Sequence, residues 1–197
     1  MTMKTAITAA LFALTAALAS ACAPYKLDPP SGYAEVSADD SGVRMKAGDD
    51  VGLNLAVFDN VEGGTLVFWS EDLIKKLARR GYTLLEQKPA KSRNGVAGTR
   101  FDFGYVPPGS EEQKFYSVVL FVSDSHVFAL QVAGDDEKAK THLAHLDDIA
   151  HDTVVRGCKS WTQICHGEQP KRLVAPAPAA TTTQLASEPK PAAAAAQ

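Results

Sequence analysis

Phe115-Tyr116-Ser117-Val118-Val119-Leu120-Phe121-Val122, then Ser123-Asp124-Ser125-His126, then Val127-Phe128-Ala129-Leu130-Gln131-Val132: two apolar runs around a short polar turn decide the fold. The first run is apolar on both faces, the pattern of a strand in the middle of a sheet, and the second follows closely enough to pair with it as an antiparallel hairpin. Residues 99–105 carry a second strand signal. There Phe101, Phe103 and Tyr105 alternate with Arg100, Asp102 and Gly104, which predicts one buried and one polar face. Residues 43–47, 53–58 and 82–87 read as further strands, with Asn94-Gly95 and Pro107-Pro108-Gly109 as turns. A helix is predicted after Ser70 as N-cap, with Glu71 and Asp72 in its first turn, Leu73, Ile74 and Leu77 as its apolar stripe, and Arg79-Arg80-Gly81 at its end. A second runs from about Asp136 to Val155, with Leu143, Leu146, Ile149, Ala150 and Val154 at helical spacing. Strands in runs with only two helices predict an α+β domain over residues 33–157. In it, an antiparallel sheet of about six strands carries two main amphipathic helices.

Over residues 43–155 this element order and the spacing of apolar runs resemble the Mog1/PsbP-like fold. The resemblance implies a sandwich whose members are mostly adaptors, assembly factors or lipoproteins of unassigned role. No motif accompanies it, so no residue role is carried over.

The ends of the chain differ from this middle. Lys4 supplies a basic n-region, residues 6–19 an apolar run, and Ala19-Ser20-Ala21-Cys22 a small-residue processing site, so residues 1–21 read as a signal peptide. The run is short of the ~20 apolar residues that span a bilayer as a helix. A cysteine after three small residues resembles the lipobox of bacterial lipoproteins, which implies a diacylglyceryl group on Cys22 and a membrane anchor facing the periplasm. The sequence departs from that pattern at Ala19, where Leu is usual. The alternative is ordinary cleavage after Ala19-Ser20-Ala21, which releases a soluble periplasmic or secreted protein. Residues 22–32, with Pro29-Pro30-Ser31-Gly32, read as a tether, and residues 167–197, mostly Ala, Pro and Thr toward the end, as a disordered tail that buries too little to offset its ordering entropy.

The chain has three cysteines. In an oxidising compartment Cys158 and Cys165 are expected to pair and close a small loop over residues 158–166, which leaves Cys22 for the lipid. As zinc ligands with His166, the same residues match no common spacing and lack a fourth donor, and Cys-x-x-Cys and Cys-x-x-Cys-His are both missing.

The other candidate sites each have a plainer explanation. His142-x-x-His145 is a spacing at which two imidazoles can face one cation, but His151 projects to the far side of the helix from His142, and a solvated face with incidental histidines accounts for all three and for Asp148. Lys75, Lys76, Arg79 and Arg80, followed by Lys88, Lys91 and Arg93, form a basic cluster that suits anionic headgroups or simply a solvated helix face. The pairs Asp39-Asp40, Asp49-Asp50 and Asp135-Asp136 lack the order of a calcium loop and suit turns and caps. Trp69, Trp161, Tyr105 and Tyr116 suit a ligand groove or a core.

With 22% charged residues, 45% hydrophobic residues and a net charge of −3, nothing indicates nucleic acid as a partner. No nucleophile elbow, His-Glu-x-x-His, phosphate loop or dinucleotide fingerprint is present. The sequence therefore predicts a non-enzymatic envelope lipoprotein without a cofactor, anchored through Cys22 and binding an envelope protein or polymer. A periplasmic module that takes a small molecule or lipid in a cleft between helix and sheet is the alternative, and an unrecognised hydrolase a third.

Overall fold

The computed structural model describes residues 23–171, in the order β1 (Tyr25–Lys26), β2 (Tyr33–Asp39), β3 (Gly42–Ala47), β4 (Gly52–Asp59), α1 (Leu66–Arg79), β5 (Thr83–Lys91), β6 (Ala97–Tyr105), β7 (Lys114–Val122), β8 (His126–Asp135), α2 (Asp136–Thr141), α3 (Leu143–Asp152) and β9 (Val154–Val155), with a 3-10 turn at Ile164–His166. The signal segment, Cys22 and the tail beyond residue 171 lie outside the described residues. The molecule is α+β. Seven strands form one sheet in the order β2-β3-β4-β8-β7-β6-β5, and every neighbouring pair in it is antiparallel.

Hairpin β7–β8 sits at the middle of this sheet, as its two-sided apolarity requires. The pleat sends alternate residues to opposite faces, and each face meets a helix. On one face Leu53, Leu55, Val119, Phe121, Phe128 and Leu130 pack with Leu146, Ile149 and Ala150 of α3. On the other, Phe101, Phe103, Val118 and Leu120 pack with Leu66, Ile74 and Leu77 of α1. α1 lies against β5, β6 and β7. The same face beyond it is polar: Arg44, Asn54 and Gln131 stand side by side across β3, β4 and β8.

Several elements differ from expectation, each for a local reason. The sheet has seven strands because β2 is a seventh, an edge strand nearly all exposed, with no apolar alternation to reveal it. α1 begins five residues early: Thr65, not Ser70, is the N-cap, its hydroxyl accepting from the Phe68 amide at 3.3 Å, and Ser70 lies buried within the helix. Gly81, at φ +85°, closes the helix by letting its own amide reach Ala78 O and that of Tyr82 reach Leu77 O. The second helix is broken at His142 and ends at Asp152, because β-branched Val154 and Val155 leave it to pair with Tyr25 and Lys26 as a two-stranded ribbon. β6 is buried on both faces, since Arg100 and Asp102, expected on a polar side, lie under α3.

The expected boundaries shift as well. Residues 23–32 are not a free tether: Tyr25 is buried, Arg156 N–H donates to Pro24 O at 2.9 Å, and the Arg156 guanidinium donates to Ala23 O at 2.7 Å. At the other end the chain stays packed to residue 171. Gln169 receives the Thr99 hydroxyl at 2.7 Å and donates to Gly98 O at 3.0 Å, while Gln87 donates to Pro170 O at 2.9 Å.

Candidate functional site

The break in the second helix places His142 between the start of β2 and the β3–β4 turn. Its Nδ1 lies 2.6 Å from the Tyr33 hydroxyl and its Nε2 lies 2.9 Å from Asp49 Oδ2. A neutral ring protonated at Nε2 satisfies all three groups, with the tyrosine donating and the carboxylate accepting. Burial, with help from the Asp49 charge, pushes the Tyr33 pKa up to about 12, so it remains a neutral donor. The hydrogen bond from His142 holds Asp49 below the usual carboxylate range. The arrangement ties three elements together and keeps both ring nitrogens of His142 occupied.

His145, one turn away, does not join it. With Asp28, Arg93, Asp148, His151 and Asp152 it lines an open cleft of about 930 Å³ between α3 and residues 27–31. The two candidate ligands of the His-x-x-His spacing thus face different surroundings. Among the described residues no group of three or more His, Cys, Asp or Glu side chains is placed to hold a metal ion.

Under α3 lies a buried ion cluster for which the sequence offered no signal beyond two charges in an aromatic strand. Arg100, 4% exposed, grips Asp102, 5% exposed, with two parallel hydrogen bonds of 2.9 and 2.7 Å, and reaches Asp147 on α3 at 2.8 Å. The Ser117 hydroxyl completes the Asp102 shell. Burial alone lowers the Arg100 pKa, but hydrogen bonds to Asp102 and Asp147 outweigh it and raise the value. The cluster registers helix against sheet.

A third constellation gathers at the end of the sheet that holds the β7–β8 turn. Cys158 and Cys165 form a disulfide with their Cα atoms 6.0 Å apart. Asp124 from the turn docks the loop they close, accepting from the Lys159 amide at 2.7 Å and from the Thr162 hydroxyl. Next to it, Asn60 satisfies a buried junction: its amide nitrogen donates to Gly64 O and Ser123 O, and its oxygen accepts from Gly64 N–H and the Trp69 indole. Trp69 therefore belongs to packing, as do stacked Tyr82 and Tyr105 and half-buried Tyr116, whereas Trp161 at the tip of the disulfide loop is 80% exposed. The basic cluster on α1 is partly paired along the helix, Lys75 with Glu71 and Lys76 with Asp72. No helix among the described residues is long and apolar enough to cross a membrane.

No protein-family model and no curated protein matches the chain. Among solved structures it is similar to cyanobacterial PsbP (CyanoP) from Synechocystis, at 14% identity and a TM-score of 0.47 over 67% of this chain and 86% of that one. It is also similar to LpqN, involved in cell envelope biogenesis of Mycobacterium tuberculosis, at 12% identity and a TM-score of 0.47 over 67% and 83% of the two chains. At such identities these are similarities of chain path, and neither transfers a residue role.

Proposed function

We propose that the protein is an exported envelope lipoprotein, acylated at Cys22, whose domain binds an envelope protein or polymer without catalysing a reaction. One observation carries this reading. Cys158 and Cys165 are joined in a disulfide, so of the chain's three cysteines only Cys22 is left for another modification, and it stands directly behind Ala19-Ser20-Ala21. An exported thiol without a partner is exposed to oxidation, and a thioether-linked one is not.

The binding role draws support from the way polar groups are used. The Tyr33–His142–Asp49 and Arg100–Asp102–Ser117 groups spend their hydrogen bonds on one another. On the half of that face away from α1, Arg44, Asn54 and Gln131 form a polar row near the edge strand β2, and this reading assigns the partner to it. A small molecule in a cleft between helix and sheet has less room, because apolar side chains and, under α3, the Arg100–Asp102 pair occupy those interfaces.

The test has two parts. Intact mass of the mature chain is expected to show loss of residues 1–21 and a diacylglyceryl group on Cys22; an unmodified N-terminus would remove the anchor. Cross-linking in the intact envelope is expected to recover a defined partner from the wild type and less of it from Arg44→Glu. A small molecule retained in native mass spectrometry, with no cross-linked partner, would favour the cleft-binding alternative.

A further inference from the structure

The strand register brings the β2–β3 turn, the loop from Asp59 to Thr65, the β7–β8 turn and the disulfide loop to one end of the sheet. Ala23, the first described residue, is at that end too, sharing an open groove of about 700 Å³ with Phe58, His126, Arg156 and Gly157. Four of the seven large apolar side chains exposed among the described residues cluster there: Phe58 at 57%, Val61 at 83%, Phe68 at 56% and Trp161 at 80%. They come from four separate pieces of chain: the end of β4, the loop after it, the first turn of α1 and the disulfide loop. Scattered single apolar residues need no explanation, but a group at the end that carries Ala23 does.

Residues 23–25 are tied to the domain. Arg156 binds the carbonyls of Ala23 and Pro24, and Tyr25 pairs with Val155 and is buried. One peptide bond then separates Ala23 from Cys22, and a residue reaches at most ~3.6 Å. An acyl group on Cys22 therefore leaves the domain no slack with which to stand away from the lipid.

We propose that this end of the domain lies in the interfacial zone of the bilayer that holds the Cys22 acyl chains, with Trp161 and Phe58 as the side chains that enter it. The inference rests on acylation of Cys22. Tryptophan favours the headgroup level, where its ring is buried and its indole N–H stays wet, and Phe58 adds apolar area at the same end. The disulfide and the Asp124 bonds hold the loop that presents Trp161, so little ordering is needed on contact. Charges at this end are of both signs: Asp40, Asp59, Glu62 and Asp124 are balanced by Arg156, Lys159 and, from the β5–β6 turn that the register brings to the same end, Lys91 and Arg93. Contact is accordingly apolar and indifferent to lipid charge. Residues 75–80, the basic end of α1 and its cap, lie toward the opposite end of the sheet, where Gly81 meets Tyr105.

The experiment uses the mature, acylated full chain in phosphatidylcholine vesicles, some made with lipid brominated high in the acyl chains. Tryptophan emission is expected to be quenched by the brominated lipid in the wild type, and the quenching to be lost in Trp161→Phe, which retains Trp69. Replacing part of the phosphatidylcholine by phosphatidylglycerol, or adding salt, is expected to change nothing. Flotation and intact mass are read on the same samples. A chain that carries its lipid and floats, but shows equal emission in brominated and plain vesicles, overturns the proposed contact while leaving the anchor intact. A chain that lacks the lipid overturns both. A Trp161 already shielded without vesicles, together with sedimentation as a dimer, overturns the contact by assigning the patch to a second copy.

Discussion

Arg100 shows how much a single side chain can be asked to do in this fold. Among the described residues it is the one Lys or Arg that is buried, and from β6 it reaches α3 through Leu143 O and Asp147. Arg100→Ala strands the Asp102 carboxylate in the core, and removing one partner of a buried pair costs roughly 3–5 kcal/mol. The combined change Arg100→Met, Asp102→Leu, Ser117→Ala removes charge, partner and hydroxyl together and is expected to recover most of that loss; urea midpoints of the two variants measure the difference. A triple variant as unstable as Arg100→Ala would show that size and shape, not charge, dominate the site. Asp147, half exposed, contributes far less, within the ~1 kcal/mol of surface pairs. The exposed carboxylates set the response to acid. Asp49 is lowered by the His142 hydrogen bond and Asp135 by that of Lys114; at Asp124 burial pulls upward, but the Thr162 hydroxyl and Lys159 amide win. Each folded pKa is thus below the ordinary 3.8, so the stability these groups add is complete above that value and is lost as pH falls through the folded value. Urea midpoints are expected to hold from neutral pH to about 5 and then to decline, with part of the decline absent in Asp124→Asn. Identical acid profiles for the two chains would mean that the loop is not held by Asp124 in solution.

At the level of elements, the central hairpin and the helices were legible because burial writes a period into sequence. Phe115 to Val122 is apolar on both faces since helices cover both, and Leu73, Ile74 and Leu77 keep helical spacing. The parts that escaped obey other rules. β2 is an edge strand with nothing to bury, β5 runs on through Pro89 because an edge strand tolerates a missing donor, and Val154-Val155 became a strand only because Tyr25 was there to pair with it. The start of α1 was misplaced for an instructive reason. Ser70 has the composition of a cap and two acidic followers, yet the stripe Leu66, Ser70, Ile74, Leu77 extends a turn further back, and burial overruled the local signal. This separates two variants. Thr65→Ala is expected to lower stability by about 1 kcal/mol, the usual worth of a cap, while Ser70→Ala loses nothing, since the buried Ser70 hydroxyl has no partner among the described residues. Chemical denaturation of both decides it, and the opposite ranking would restore Ser70 as the cap. Of the candidate sites, the Cys158–Cys165 pair was legible from compartment and spacing. The Tyr33–His142–Asp49 group was not, because its members lie 93 and 109 residues apart and meet only when the sheet forms. Reduction of the disulfide is expected to cost roughly 2–3 kcal/mol on the loop-entropy model. Proteolysis near Trp161 is expected to rise with it.

At the scale of the whole molecule, both termini of the domain are closed by contacts that compositional reading assigns to linkers. Pro29-Pro30-Ser31-Gly32 has the look of a spacer, but Tyr25 and Leu27 ahead of it pack into the core cluster of α3. At the other end Gln169 and Pro170 lie along β5 and β6. Burying one large apolar side chain is worth about 1.5–3 kcal/mol, so the two termini belong to the stability of the domain. A chain that begins at Tyr33 forfeits Tyr25, Leu27 and the ribbon with Val154-Val155, and is expected to lose several kcal/mol relative to one that begins at Ala23. A chain that ends at Lys171 is expected to melt with the full-length protein, whereas one that ends at His166 gives up the bonds of Gln169 and Pro170 and melts lower. Thermal unfolding of these four truncated chains against the mature chain measures each step. Equal melting of the chains beginning at Ala23 and at Tyr33 would return residues 23–32 to the role of a slack tether. It would also remove the close approach to the bilayer, because about ten extended residues reach ~33 Å, enough to lift the exposed apolar end clear of the headgroups. The stability of the first ten described residues and the orientation of the domain on its membrane are therefore one physical question.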